Sequence, residues 1–178
     1  GWKPNNPDGK TTWKKTTAAA KSGSASMVME NHDYTAIGQI DEIRSPLLCD
    51  LSNSPKLTFQ VAYQLFTNPN SSPKYSDTLI VQVSSDSGLT WTEMYKNSGV
   101  SLTTAKPVFS TEPFVPTANQ WRLETVSLPV ASKVFVKFIN ITGYENQLYI
   151  DDINISSGVG VDEINPEHYI SVFPNPSA

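Results

Sequence analysis

The clearest hydrophobic pattern in the chain is an alternation over residues 56–65. Its apolar members share one face: Leu57, Phe59, Val61, Tyr63 and Leu65. Polar residues fill most of the positions between them, so the period is two, as in an antiparallel strand with one face in the core and one in water. Residues 78–84 repeat the pattern, with Leu79, Val81 and Val83 facing inward.

Further apolar stretches bring the set to eight or nine strands: 24–29, 40–47, 91–95, 121–128, 133–141 and 148–155. Turn residues separate them, no stretch predicts a convincing helix, and thirteen scattered prolines argue against long ones. We therefore predict an all-β fold, an antiparallel two-sheet sandwich of the jelly-roll type. The expected core comprises Leu57, Phe59, Val61, Tyr63, Leu79, Val81, Val83, Val134, Val136, Phe138, Ile150 and Ile153.

The last predicted strand, residues 148–155, carries two acids in its middle, Asp151 and Asp152. The apolar register changes across them, and a β-bulge at this point would return the aliphatic residues on both sides to the core. A carboxylate carried into a strand in this way has to be hydrogen-bonded, paired or bound to a metal. Two interpretations remain open: an acceptor for a neighbouring loop, or a ligand for calcium, which takes only oxygen donors.

Residues 84–91 fit the pattern S-x-D-x-G-x-T-W of the Asp-box hairpin. The carboxylate of Asp86 can accept backbone N–H groups within such a turn, and Gly88 supplies the positive φ. The pattern occurs on many β folds, so it predicts a stabilised hairpin rather than a ligand site.

Charge and composition narrow the function classes. The net charge of −4 gives no electrostatic reason to expect nucleic acid or an anionic membrane as partner. No apolar run approaches the ~20 residues of a membrane helix. A single cysteine, Cys49, rules out an internal disulfide framework. The chain begins with Gly1 and shows no signal-peptide pattern, so we expect it to be part of a larger protein.

Catalytic motifs are missing from the sequence. The two histidines, His32 and His168, are not arranged as H-E-x-x-H, and neither G-x-S-x-G nor a P-loop occurs. Carboxylates such as Asp41, Glu42, Asp151 and Asp152 do not by themselves identify an acid and a base. We expect the chain not to be an enzyme.

The order of several short segments resembles a known family: NPDGKTTW, DEIRSPLLCDLS, LTFQVAY, SDTLIVQVSSDSGLTW, VFVKFINI and LYIDDINI. They are similar to the jelly-roll ancillary modules of bacterial proteins that use the type IX secretion system. Those modules look related to cleaved-adhesin domains of gingipain-like proteases and, more distantly, to MAM domains. The resemblance implies a galactose-binding-like or MAM-like sandwich over residues 1–157, and it implies that a parent protein could be a secreted hydrolase such as a metallopeptidase.

The tail adds to this resemblance. Residues 170–176, ISVFPNP, look like the opening of a type IX C-terminal sorting domain. We accordingly assign residues 158–178 to a linker and the truncated start of that domain, and we expect them to pack poorly on the sandwich. The implied location is secreted, or on the outer surface of a gram-negative bacterium.

Three functions compete. The first is a non-catalytic module that binds an extracellular glycan or protein, and its candidate ligand residues are Tyr75, Phe109, Phe114 and Tyr144. The second is a structural spacer between a catalytic domain and the secretion signal, and the third is a hydrolase in its own right. The expected partners are an extracellular ligand and other domains of the same polypeptide, with a monomeric chain.

A calcium ion is the one cofactor that we expect. The candidate ligands are Asp151 in the last strand, Asp8 in the Asn- and Gly-containing loop near the start, and Asp41 before Ser45-Pro46. In the modules that the chain resembles, such loops and strand ends resemble calcium-holding positions. Calcium takes six to eight oxygens, so backbone carbonyls and water would complete its shell.

Overall fold

A computed structural model describes residues 1–157 and the backbone of the short strand at 170–171. The strands in this part of the chain are β1 (Lys3–Asn5), β2 (Lys14–Thr16), β3 (Ser26–Met29), β4 (Ile40–Arg44), β5 (Leu48–Leu51), β6 (Lys56–Tyr63), β7 (Thr78–Ser84), β8 (Thr92–Ser98), β9 (Arg122–Ser127), β10 (Ala131–Ile141), β11 (Leu148–Ser156) and β12 (Ile170–Ser171). Helical structure is limited there to a 3₁₀ turn (Asn31–Asp33) and a four-residue helix α1 (Gly99–Leu102). None of these helices is long enough to cross a membrane.

The strands form two sheets in which every pairing is antiparallel. The first sheet has the order β1-β4-β10-β7-β8, with β5 pairing the start of β10. The second has the order β2-β3-β11-β6-β9, with β12 pairing the end of β11. The predicted two-sheet antiparallel sandwich is confirmed.

The core lies between the two sheets and holds every residue predicted for it. The alternation in β6 and β7 places one face of each strand against the other sheet, as in a half-solvated strand. Phe59 of β6 and Phe138 of β10 meet across the sandwich edge to face, with ring centroids 5.0 Å apart. This packing fixes the relative position of the sheets, and with it the loops at their ends.

A second apolar cluster covers the outer face of the second sheet. The segment 99–121 crosses this face and is tied down by two hydrogen bonds of Thr104, from its N–H to the Tyr63 carbonyl (2.8 Å) and from its hydroxyl to the Gln120 carbonyl (2.6 Å). Phe114 and Trp121 both pack against Tyr149 of β11, each with a centroid distance of 6.2 Å. Residues 99–121 therefore form a packed layer over the outer face of the second sheet.

The predicted bulge in the last strand is present. The register between β11 and β6 shifts between Asp151 and Asn154, and Asp152 takes a φ of +46°. Ile150 and Ile153, on either side of the shift, are at most 1% exposed. The extra residue thus restores the apolar side chains to the core and turns Asp151 toward the loop that follows β2.

In the turn between β7 and β8, Asp86 accepts one backbone N–H, as predicted, and two hydroxyls that the prediction did not include. Its carboxylate accepts the Thr90 N–H (2.9 Å), the Thr90 hydroxyl (2.5 Å) and the Ser84 hydroxyl (2.7 Å). These donors hold the pKa of Asp86 well below its usual range, the Thr90 hydroxyl most of all. Gly88 has a φ of +88°, which favours glycine.

The tail can be followed only in part. Residues Ile170 and Ser171 pair with Ile155 and Asn154 of β11, so this short piece adds a strand to the second sheet. That the tail as a whole packs poorly on the sandwich stays a prediction. The rest of the predicted linker and sorting-domain start lies outside the described residues.

Candidate functional site

Four partly exposed aromatic side chains form a continuous row, which we call the aromatic row: His32, Phe66, Tyr144 and Tyr75. His32 meets Phe66 edge to face, with centroids 4.7 Å apart. Phe66 meets Tyr144 at 6.3 Å, and Tyr144 meets Tyr75 at 6.4 Å, both in tilted or edge-on geometry. Each ring therefore supports its neighbour while part of its surface faces solvent.

The row lies at one end of the sandwich because its members come from loops that meet there. Phe66 follows β6, Tyr75 precedes β7, and Tyr144 lies in the connection between β10 and β11. His32 belongs to the 3₁₀ turn that follows β3. In antiparallel sheets, the end of one strand lies beside the start of the next, so four separate segments contribute to one surface.

The Tyr144 loop is held in place from below. Tyr144 has a φ of +61°, a conformation that costs a non-glycine residue energy and persists only where the surroundings impose it. The N–H of the preceding Gly143 donates to the Asp77 carboxylate (2.6 Å). A Cβ on Gly143 would collide with the backbone of Ser76, so this close approach requires glycine. The loop is fixed rather than free to adapt.

A second buried carboxylate fixes the neighbouring ring. Glu145 is 0% exposed and accepts the N–H groups of Phe66 (2.6 Å) and Thr67 (2.8 Å), together with the Thr67 hydroxyl. The residue next to Tyr144 thus holds the backbone of Phe66. This one carboxylate couples two of the four rings, although they are distant in sequence.

The polar layer beneath the row is completed by amides and a tyrosine. The side-chain amides of Asn31 and Asn140 exchange two hydrogen bonds of 3.0 and 2.9 Å. The Tyr63 hydroxyl donates to Asp77 at 3.3 Å. Burial raises the pKa of Asp77 to about 7. The hydrogen bond from the Gly143 N–H opposes this rise, and the charge of the nearby Glu145 adds to it.

The structure brings together two of the four predicted ligand residues, Tyr75 and Tyr144. Phe109 is partly buried and packs against the main core, where it bridges to Leu65. Phe114 is 4% exposed because it fills the second apolar cluster, so our expectation that its ring faces a ligand is corrected.

Sequence reasoning missed Phe66 and His32. An aromatic residue that directly follows a strand and opens a loop rich in Pro, Asn and Ser was the available signal for Phe66. It also missed Asp77 and Glu145, although each acid closely follows a tyrosine of the row. Nothing in the sequence indicated that His32 would reach Phe66.

The predicted calcium ligands Asp8 and Asp41 lie in one neighbourhood. Tyr34 donates to the Asp8 carboxylate (2.6 Å), and both acids act on the Tyr34 hydroxyl to raise its pKa, after burial as the main cause. Asp41 is 1% exposed, and neither of its carboxylate oxygens has a hydrogen-bond partner among the described residues. Burial raises the pKa of Asp41 to about 6, the Thr12 hydroxyl opposes this rise, and the charge of Asp8 adds to it.

Asp151 lies elsewhere, on the second sheet, and its carboxylate is already occupied. One oxygen accepts the N–H groups of Lys21 (2.7 Å) and Ser22 (3.3 Å), and the other accepts that of Asp152 (2.8 Å). Burial still raises the pKa of Asp151, although these donors oppose the rise. The three predicted ligands therefore do not form one site.

The donor sets decide which acids fit calcium. At Asp41, both buried carboxylate oxygens lack a backbone N–H partner among residues 1–157, and the buried Thr12 hydroxyl and the Asp8 carboxylate lie nearby. Asp8 itself accepts the Lys10 N–H (3.0 Å) and the Tyr34 hydroxyl (2.6 Å), so Asp41 is the stronger of the two calcium candidates. At Asp151, N–H groups point at the oxygens and leave little room for a cation. Within the described part of the chain, no three side chains of the His, Cys, Asp and Glu types gather as a metal group, so backbone oxygens and water would have to complete any shell.

Comparison by sequence gives no match to any protein family or curated protein. Comparison by structure gives many matches. The K1 cleaved adhesin domain of Lys-gingipain from Porphyromonas gingivalis W83 superposes with a TM-score of 0.60 at 24% identity, over 89% of this chain and 91% of that one. The K2 cleaved adhesin domain of the same protease gives 0.61 at 18% identity, over 88% and 89%.

TmCBM61 in complex with beta-1,4-galactotriose superposes with a TM-score of 0.55 at 12% identity, over 88% of each chain. At these identities the similarity shows a shared fold. The chain is thus a jelly-roll sandwich of the kind found in cleaved adhesin domains and carbohydrate-binding modules.

Proposed function

We propose that this chain is a non-catalytic binding module of a secreted or cell-surface multidomain protein, and that its ligand is an extracellular glycan or protein. The aromatic row is the observation that supports this most directly. Partly exposed rings in a fixed arrangement suit the apolar faces of sugar rings or the side chains of a protein partner.

The rigidity of the row supports a binding role further. Asp77 accepts the N–H of Gly143, which precedes Tyr144, and Glu145, which follows Tyr144, accepts three hydrogen bonds from Phe66 and Thr67. A surface that is already ordered loses little conformational entropy when a ligand binds. Two buried carboxylates are also costly for a loop that only connects strands.

The test is binding of the isolated chain to a glycan array and to a panel of extracellular matrix proteins. Tyr75→Ala should weaken binding to any ligand found by about tenfold, the scale of one lost aromatic contact. Leu89→Ala, at a residue that is 85% exposed in the turn before β8, is the matched control and should have no effect.

Two outcomes would contradict the proposal. Binding that is unaffected by Tyr75→Ala would place the ligand away from the aromatic row. Inertness toward every glycan and protein would favour the spacer function, in which the module only separates other domains.

We also propose that the parent protein is exported by a type IX system of a gram-negative bacterium. The support is the order of sequence segments together with the ISVFPNP run at residues 170–176. Inactivation of the type IX machinery in the producing cell tests this directly, because the parent protein should then no longer reach the cell surface or the medium.

A calcium ion at Asp41 and Asp8 is the third part of the proposal. The buried oxygens of Asp41 support it, because an ionised carboxylate that accepts no backbone N–H group is costly inside a protein. The ion would join the loop after β1 to β4 and so hold the two segments together. Its role would be structural, and the measurements that test it are given in the Discussion.

A further inference from the structure

The outer face of the first sheet carries a cluster that the aromatic row does not use. The Arg44 guanidinium lies 4.0 Å from the centroid of the Phe135 ring and 5.3 Å from that of Trp91. Beside it, the Lys137 ammonium lies 4.5 Å from the Trp91 centroid and 2.7 Å from a Glu42 oxygen. Two aromatic rings thus hold an arginine head, while the neighbouring lysine is paired.

The position of Arg44 is fixed from a third side by the turn before β8. A Cβ built on Gly88 would lie 2.8 Å from a terminal nitrogen of Arg44, so the backbone of the turn closes over the guanidinium. Stacking on rings orders an arginine without using its N–H groups. The edge of the guanidinium therefore remains able to donate to a ligand.

Arg44 also borders a cleft of about 400 Å³. Gly1, Lys3 and Ser45 lie on its wall, and Pro46, Leu47 and Phe135 supply an apolar wall. Among the described residues, neither Arg44 nor Lys3 forms an ion pair with an acid, while Lys14, Arg122 and Lys137 do. Two positive groups thus share one cleft in a chain whose net charge is −4.

We infer that this cleft binds the anionic group of an acidic saccharide, with the carboxylate or sulfate on Arg44 and Lys3 and the sugar ring against Phe135 and Leu47. A guanidinium matches the two oxygens of a carboxylate or sulfate with parallel hydrogen bonds. The apolar wall suits the C–H face of a sugar ring that carries the anionic group. An acidic peptide has no comparable flat apolar surface next to its carboxylate. The saccharide class rests on the proposed function, but the cleft itself is separate from the aromatic row.

The separation of the two sites follows from the strand register. Phe135 lies opposite Ser84, whereas Ile141, which leads into the Tyr144 loop, lies opposite Thr78. Six residues of extended strand span about 20 Å. A saccharide chain of several units could reach both sites, and each site can be tested without the other.

The experiment measures affinity of the full chain by calorimetry for galacturonate oligosaccharides, sulfated heparin oligosaccharides, neutral galactan and poly-L-glutamate. We expect at least one of the two acidic saccharides to bind, with an affinity that falls as salt increases. Arg44→Gln should weaken this binding by about ten- to a hundredfold, the scale of a lost charge-assisted hydrogen-bond pair. Lys3→Gln, at an exposed residue of β1, should weaken it severalfold.

Lys56→Gln is the matched control, because it removes the same charge from an exposed position on the second sheet and should have no effect. Equal binding by Arg44→Gln and Lys56→Gln would overturn the inference, and so would poly-L-glutamate that binds as tightly as the saccharides. If Arg44→Gln does not fold, the Arg44 Nε–H resonance of the wild-type chain decides: it should shift on addition of galacturonate or sulfated oligosaccharide, and a stationary signal contradicts the site.

Failure of this inference differs from failure of the proposed function. If neutral glycans bind in a way that depends on Tyr75 and not on Arg44, and no acidic saccharide binds, the cleft is not a binding site and the aromatic row remains the proposed one. If no saccharide or protein binds, both the inference about the cleft and the proposed binding function are contradicted.

Discussion

Asp41 and Asp151 are both almost fully buried, at 1% and 2% exposure, yet their carboxylates meet opposite surroundings. Three backbone N–H groups converge on Asp151, so its charge is satisfied by the chain itself. No backbone N–H among the described residues donates to the Asp41 carboxylate, and only the Thr12 hydroxyl lies beside it, although the Asp41 carbonyl accepts the Trp13 indole N–H at 3.2 Å. Burial of an acid therefore does not identify a metal site, whereas the groups around its carboxylate do. Backbone N–H donors stabilise the negative charge without a cation, and carboxylate oxygens that lack such donors are available to bind one.

Replacing the satisfied carboxylate should have the largest effect. Asp151→Ala leaves the N–H groups of Lys21 and Ser22 without an acceptor, and we expect a loss of about 3 kcal/mol or more in unfolding free energy. Denaturant titration measures it. Addition of calcium should not restore the loss, and Asp152→Asn, which alters the partly exposed neighbour, should cost much less. A calcium-dependent recovery of the alanine variant would reverse the assignment of the two acids.

Removing calcium should affect the protein through Asp41. At a calcium concentration 100 times its Kd, binding to the folded state alone would stabilise it by about 2.7 kcal/mol. Excess EDTA should therefore lower the wild-type melting temperature, whereas Asp41→Asn should melt at the same temperature with and without EDTA. An unchanged wild-type melt in EDTA would show that no ion is held there.

The pH dependence without metal should distinguish the two states of Asp41. Its folded pKa of about 6 lies above the ordinary value of an aspartate, so the folded chain binds the proton more tightly than the unfolded chain does. The metal-free protein should consequently gain stability as the pH falls through 6, and with calcium bound the trend should reverse because protons compete with the ion.

Asp77 contributes to this pH dependence as well. Its pKa of about 7 is also raised on folding, so its contribution to the free energy of unfolding likewise increases as the pH falls. The difference between wild type and Asp41→Asn in thermal melts from pH 5 to pH 8 isolates the Asp41 part. Identical profiles for the two proteins would contradict the raised pKa of Asp41.

The smallest effect is expected at Asp86, an acid that resembles Asp151 in having donors but lies at the surface. Asp86→Ala should lower the melting temperature only slightly, because water can replace the Thr90 and Ser84 hydroxyls. Since the pKa of Asp86 is lowered on folding, its contribution is present at neutral pH and is lost in strong acid. If Asp86→Ala lost as much stability as Asp151→Ala, the difference in solvent exposure would not explain the different contributions of the two acids.

The sandwich could be predicted because its information is local. A period of two over β6 and β7 determines which residues face the core, and the change of register around Asp151 determines the bulge. The same locality let the sequence indicate the backbone hydrogen bond of Asp86, whose donor is four residues away.

The candidate site could be predicted only in part because its contacts join distant segments. Tyr75 and Tyr144 were found as aromatic residues in loops, but Glu145 reaches Phe66 across 79 positions. Phe114 stands in an equally irregular stretch and is buried, since only the packing against Tyr149 determines which rings face outward. The sequence also could not divide Asp8, Asp41 and Asp151 between two sites, because the division depends on which backbone N–H groups the fold brings to each.

The loop between Phe66 and Tyr75, which connects the second sheet to the first, has a consequence for engineering. Its exposed residues bond chiefly among themselves, as in the Ser71 N–H to Asn68 carbonyl contact of 2.9 Å, while the anchors at Thr67 and Asp77 lie outside it. Residues 68–74 can therefore be randomised or lengthened as a display library without disturbing the two anchored ends. Such a library would place new side chains between two rings that are already ordered, Phe66 and Tyr75. Selection from it would alter binding specificity while the sheets stay unchanged.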